Sequence, residues 1–368
     1  MGSRFLRIAA LGVAVVVLGS GCRAAATASA DMAGSGGDAL TTAVTSTTVP
    51  ETVAVATATL EPPTATPTAT ATAVPPTATP LPPTATPTPE PTATPTPAPT
   101  QAPRVERVVP AAGAPPRASS SALSRLPAVE AKAVVVMDGN SGAVLWERNA
   151  YETLPPASLT KIMTTLVALQ YGDLDRVVKI DVDAREMPGS SVMGLRRGDR
   201  FTLRDLLYGL MLPSGNDAAL AIGRALSGSD SAFVSEMNQL AAELGLTSAN
   251  FANAHGLTAR GHVISAYDMA VLSRYAMTVD EFVPYSTTRT WTARGSRTLS
   301  FNNLNALLRT YPGADGMKVG YTRAAGRTLS ASATRNGKRV FVVLMNAPSS
   351  QADAAKLLDW AFANHTWD

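Results

Sequence analysis

Cysteine occurs once in the 368 residues, at Cys22, which excludes a disulfide framework and a thiolate-built metal site. Histidine is almost as scarce. His255, His262 and His365 are the whole supply of imidazole, so any catalysis is expected to need no cofactor and no metal. Charge of one sign is lacking too: 31 Lys and Arg stand against 28 Asp and Glu, scattered, for a net +3. Without a clustered basic stripe, nucleic acid is not expected as a partner. The one early apolar run, Ile8 to Leu18 behind Arg4 and Arg7, is too short to span a bilayer and reads as an export signal.

What the sequence does have in excess is proline, 27 residues concentrated in its first third. From Ala24 to about Ser120, Thr, Ala and Pro dominate, with near-repeats such as Pro63-Thr64-Ala65-Thr66-Pro67. Such chain builds no core and favours polyproline-like extension, about 3.1 Å per residue, a reach on the order of 200 Å. Thr-rich stretches with proline also fit glycosylation. Leu18-Gly19-Ser20-Gly21-Cys22 resembles the bacterial lipobox, with its leucine one place early. That resemblance implies lipidation of Cys22 and a membrane anchor, with plain secretion as the alternative. The expected division is 1–22 signal peptide, 23–120 disordered linker and 121–368 catalytic domain.

Order is expected from near Leu123. Ala133 to Met137 and Ala143 to Trp146 are β-prone runs around Asp138-Gly139-Asn140-Ser141-Gly142, a hairpin pattern. Leu159, Ile162, Met163, Leu166 and Leu169 then recur at helical spacing, with Pro155-Pro156 before them and Gly172 after. Thr202 with Asp205 and Ser265 with Asp268 read as capping pairs. Beyond Pro284 the pattern turns to strands, Leu329 to Thr334 and Val340 to Met345 joined through Asn336-Gly337, and Ala352 to Phe362 closes as an amphipathic helix. The expected class is α+β, an antiparallel sheet covered by helices.

Ser158-Leu159-Thr160-Lys161 places a hydroxyl and an amine three residues apart, on one face of a helix start. Serine needs a base, and lysine becomes one when desolvation or a neighbouring cation leaves it neutral. The tetrad alone equally suits an ordinary helix start with a solvated lysine. In Pro213-Ser214-Gly215-Asn216, proline ends one helix and Asn216 is suited to cap the next; Ser214 could relay a proton, and the Asn216 amide could hold a substrate carbonyl and position Lys161. The bland alternative is a plain interhelix turn. Asp315-Gly316-Met317-Lys318-Val319-Gly320-Tyr321-Thr322 is β-like, with a cation beside a glycine that lets a substrate backbone approach.

These segments resemble the S-x-x-K, S-x-N and K-T-G set of penicillin-binding proteins and serine β-lactamases. Phe251-Ala252-Asn253-Ala254-His255-Gly256-Leu257, Ser265 to Ala270, Ala325-Gly326 and Lys356-Leu357-Leu358-Asp359-Trp360 look like the D-alanyl-D-alanine carboxypeptidase branch. The resemblance, running from about Ala131 onward, implies a β-lactamase/transpeptidase-like fold with a five-stranded antiparallel sheet and a helical lobe. It implies that Ser158 is acylated, with Lys161 as proton acceptor and Ser214 and Asn216 completing the network. Lys318, Gly320, Tyr321 and Thr322 would bind substrate, the N–H groups of Ser158 and Tyr321 forming the oxyanion hole. Implied partners are stem peptides ending in D-Ala-D-Ala, and β-lactam antibiotics as covalent inhibitors. Because the sequence ends at Asp368 after the last helix, the C-terminal β domain of many relatives is expected to be missing.

Two positions depart from the pattern: Val319 replaces the usual threonine, and no arginine occurs near Ser350 and Gln351. Both losses touch recognition of a terminal carboxylate, and Thr322, Arg323 or Arg327 could compensate. D,D-endopeptidase cleavage of crosslinks, a class A-like β-lactamase with Glu243 in a Glu-x-x-Leu-Thr stretch, and a non-catalytic wall-binding module stay open as alternatives. His255 and His262 are assigned structural roles, and acidic residues in turns, Asp138, Glu152 and Asp315, local ones.

Overall fold

The computed structural model describes residues 113–368. The signal segment, Cys22 and most of the expected linker lie outside the described residues. Order starts a little earlier than the sequence pattern indicates: Arg117–Ala118 pairs antiparallel with His365–Thr366, and Ser119 N–H donates to Asn364 O at 2.8 Å. Composition could not show this, because the pairing partner lies about 250 residues away.

The centre is an antiparallel sheet of five strands. In chain order these are β1 (Ala133–Asp138), β2 (Val144–Arg148), β3 (Ala314–Thr322), β4 (Gly326–Arg335) and β5 (Lys338–Met345), arranged β3-β4-β5-β1-β2. Both hairpins expected from sequence form. The second turns through Asn336 and Gly337 with φ of +50° and +73°, the left-handed values that an Asn-Gly turn supplies.

The sheet is apolar on both faces, so its strands read as continuous hydrophobic runs. Val135 and Met137 of β1 with Phe341 and Val343 of β5 face a helical lobe, whereas Val134, Val136, Val340 and Val342 face the closing helix. Fully burying each such side chain contributes about 1.5–3 kcal/mol, an upper range that makes these two layers the main store of stability. The lobe comprises α1 (Thr160–Gln170), α2 (Leu203–Met211), α3 (Asn216–Ser227), α4 (Asp230–Glu243) and α5 (Ala266–Ala276); α6 (Ser350–Asn364) covers the opposite face. Thr202 Oγ1 and Ser265 Oγ accept from Asp205 N and Asp268 N, as their spacing predicts.

Among the described residues no helix is long and apolar enough to cross a membrane. Strand β3 is an edge of the sheet, and its free backbone edge is turned toward the space between sheet and lobe.

Candidate active site

Ser158 stands in a single 3₁₀ turn, Ala157–Leu159, immediately before α1. Its predecessor Ala157 has a φ of +50°, a strained value for a residue with a Cβ, and the surroundings hold it there. Thr160 Oγ1 donates to Ala157 O at 2.8 Å. Gly256 packs against the same carbonyl so closely that a Cβ would lie 2.0 Å from it. Behind Thr160 is His262. Its Nδ1 accepts from Ala252 N–H at 2.8 Å, which leaves Nε2 as the protonated nitrogen facing Thr160 Oγ1 at 2.8 Å. A line of four groups thus runs from the 252 loop to the backbone that presents Ser158.

Lys161 follows one turn later and is fully buried. Its Nζ lies 3.0 Å from Ser158 Oγ, 2.7 Å from Asn216 Oδ1 and 2.5 Å from His255 O. Desolvation holds its pKa well below the ordinary lysine value, and the nearby Lys318 cation lowers it further, with Asp217 opposing. A neutral amine has two N–H bonds and one lone pair. In that form Asn216 and His255 would accept both hydrogens and leave the lone pair for the Ser158 hydroxyl.

Asn216 offers its amide oxygen to Lys161 Nζ at 2.7 Å. Its expected capping role is corrected: Asn216 is the first residue of α3, Gly215 occupies the cap, and the amide is turned to Lys161. Ser214, beside it, has a φ of +66° and a buried Oγ without a hydrogen-bond partner among the described residues. That hydroxyl lines the cleft with unused donor and acceptor capacity.

The opposite wall is β3. Lys318 is buried, its Nζ donates among the described residues only to Val319 O at 3.1 Å, and burial pushes its pKa down to about 7. Gly320 touches the Ser158 backbone: a Cβ there would come 2.8 Å from Ser158 N and 2.5 Å from Thr328 Oγ1, so only hydrogen fits. Tyr321 stands exposed at the rim, and Thr322 Oγ1 accepts from Ala325 N–H at 3.1 Å. Ser158, Ser214, Asn216, Gly320, Tyr321 and Thr322 all line one cleft of about 550 Å³, with Lys161 and Lys318 buried beneath its floor.

Against this geometry, the comparisons with known proteins decide the family. Residues 119–349 match the model of the D-alanyl-D-alanine carboxypeptidase peptidases. The chain belongs to that family. It is 37% identical over 246 residues to the D-alanyl-D-alanine carboxypeptidase DacF of Bacillus subtilis, covering 64% of this chain and 63% of the relative. It is 38% identical over 258 residues to DacC of Escherichia coli, covering 64% and 62%. The chain therefore spans a little under two thirds of the length of these curated relatives. Among solved structures, penicillin binding protein 6B from Escherichia coli superposes with a TM-score of 0.61 at 38% identity, over 65% of this chain and 80% of the other.

Sequence reasoning missed several members of the site. The His255 carbonyl is a lysine acceptor, which no side-chain pattern signals. Asp217, fully buried, accepts from the backbone N–H groups of Met193, Gly194 and Leu195, in the segment that follows the Gly189 to Ser191 wall of the cleft. Its place next to Asn216 was the available clue. Among the described residues no cluster suited to a metal ion occurs.

Proposed function

We propose that the chain is a serine D-alanyl-D-alanine carboxypeptidase that trims the terminal D-alanine from peptidoglycan stem peptides. Ser158 passes its proton to Lys161 Nζ as Oγ attacks the carbonyl between the two D-alanines. The N–H groups of Ser158 and Tyr321 hold the oxyanion, and the proton returns from Lys161 by way of Ser214 to the departing amine. Water then hydrolyses the ester, releasing the shortened peptide and freeing Ser158. β-Lactams present a comparable carbonyl and stop at the acyl-enzyme. Lys318 would hold Lys161 neutral, and the edge of β3, kept bare by Gly320, would take the peptide as an added strand.

The observation that carries this reading is the buried amine of Lys161, 3.0 Å from Ser158 Oγ and held by Asn216 Oδ1 and His255 O. A wall-binding module has no use for such an arrangement. A β-lactamase would want a carboxylate to activate water, but among the described residues no Asp or Glu lines the cleft, and Glu243 sits at the end of α4, accepting from Gln239 Nε2 at 3.2 Å. Endopeptidase cleavage is the second reading, since Val319 offers no hydroxyl to a terminal carboxylate.

The test is release of free D-alanine from a pentapeptide by the full chain and by Ser158→Ala. Release by the wild type alone, with a penicillin adduct at Ser158, is the expected result; release from neither, without an adduct, would leave the binding module. The enzyme is further proposed to work outside the cytoplasm, with residues 1–22 as signal, Cys22 lipidated and 23–120 as tether.

A further inference from the structure

Of the eighteen residues lining the cleft, two are arginines, Arg323 and Arg327, and none is acidic. Elsewhere Arg197, Arg224 and Arg297 each meet a carboxylate, at 2.6 to 3.5 Å. Neither cleft guanidinium has a hydrogen-bond or ion-pair partner among the described residues. The cleft therefore presents positive charge to whatever enters.

Strand register separates the two. Val319 lies opposite Leu329 and Tyr321 opposite Arg327, and residues directly opposed share one face of the sheet. Val319 and Leu329 pack in the layer under α6, so Arg327 is on that face too, diagonal to Val319. Its carbonyl accepts from Ala347 N–H at 2.8 Å, which sets the start of β4 against the segment leading into α6. There Ser350 and Gln351 also line the cleft but bring no cation, and Gln351 Oε1 is already occupied by Ala306 N–H at 2.9 Å. Arg323 instead lies in the turn between β3 and β4.

Distance fits a specific ligand group. Gly320 abuts Ser158 N, Tyr321 is the next residue, and Arg327 is its cross-strand partner, about 5 Å away between Cα atoms. A peptide whose scissile carbonyl is at Ser158 and whose chain ends one residue later places its terminus about 4 Å further on. Arg327 lines the same cleft as Ser158, so its long side chain is available to that terminus.

We propose that Arg327 is the carboxylate anchor of this enzyme, its guanidinium taking the free C-terminus of the substrate as a two-pronged pair. The proposal rests on the carboxypeptidase reading and narrows it: a peptide that continues past the second D-alanine has no carboxylate at that point and is discriminated against.

The experiment measures kcat and KM of the full chain, and of Arg327→Ala, Arg327→Lys and Arg323→Ala, on diacetyl-L-Lys-D-Ala-D-Ala and on its C-terminal amide. Arg327→Ala is expected to lose about 10- to 100-fold in kcat/KM on the acid, mostly through KM, with the amide unchanged. Arg327→Lys restores part of the preference, and Arg323→Ala keeps all of it. An equal fall for both peptides, an undiminished preference in Arg327→Ala, or its loss in Arg323→Ala would overturn the assignment. A wild type that cleaves neither peptide and takes no penicillin at Ser158 would instead defeat the functional reading, and the anchor with it.

Discussion

The two walls of the cleft are built differently. On the helical side Ser158, Lys161, Asn216 and His255 are tied by hydrogen bonds of 2.5 to 3.0 Å, backed by Thr160 and His262. On the strand side Lys318 donates to one neighbouring carbonyl among the described residues, and Arg327 stands in the cleft exposed. One wall is finished before substrate arrives; the other is waiting for it. Chemistry needs reacting groups held within a few tenths of an ångström, whereas recognition needs polar groups left available, and the asymmetry follows from that division.

The largest break in this contrast should come from Lys161→Met, which takes the base from the finished wall. Acylation of Ser158 by penicillin, followed by mass spectrometry, is expected to slow by about a thousandfold. A rate near that of the wild type would mean that the proton goes elsewhere.

Lys318→Met sharpens the comparison because rate and stability should move in opposite directions. Lys318 titrates at about 7 in the folded protein and near 10.4 when unfolded, so between these values the unfolded chain binds more protons. The cost of burying it is fully present below about pH 7 and fades as pH rises toward 10. The variant is expected to be more stable at pH 6, by roughly 2–4 kcal/mol, with the gain vanishing at alkaline pH. Acylation should fall about 10- to 100-fold, and its acid limb should move to higher pH, since Lys161 no longer faces a second cation. A gain independent of pH in urea melts would point to packing instead.

The smallest effect belongs to His262→Ala. Its imidazole is held at about 4 by burial first and by Lys161 second, against an ordinary value of 6.5. The wild type should therefore lose stability as pH falls from about 6.5 to 4, where the unfolded chain takes up a proton that the folded one refuses. Removing the ring should cost about 1–3 kcal/mol at pH 7, flatten that acid slope and slow acylation only a few-fold. An unaltered slope in pH-dependent thermal melts would argue against this.

Much of the fold was legible along the chain because it rests on local chemistry. Continuous β-prone runs and turn residues marked both hairpins, Thr202 and Ser265 marked helix starts, and Gly172 marked an end. What escaped were partners distant in sequence. The pairing of Arg117–Ala118 with His365–Thr366 has no local pattern, and the misread cap at Asn216 shows a tertiary bond to Lys161 overriding a helix-end preference.

The same line divides the site. The order of the motifs around Ser158, Ser214 and Lys318 was enough to name the family and to propose a nucleophile and its base, since side-chain type and spacing limit which reactions are possible. Whether that lysine is uncharged, which carbonyl receives its second hydrogen, and which arginine faces Val319 depend on desolvation and on register between strands. Those are properties of packed neighbours, and they came into being only when segments 55 to 94 residues from Lys161 closed around it.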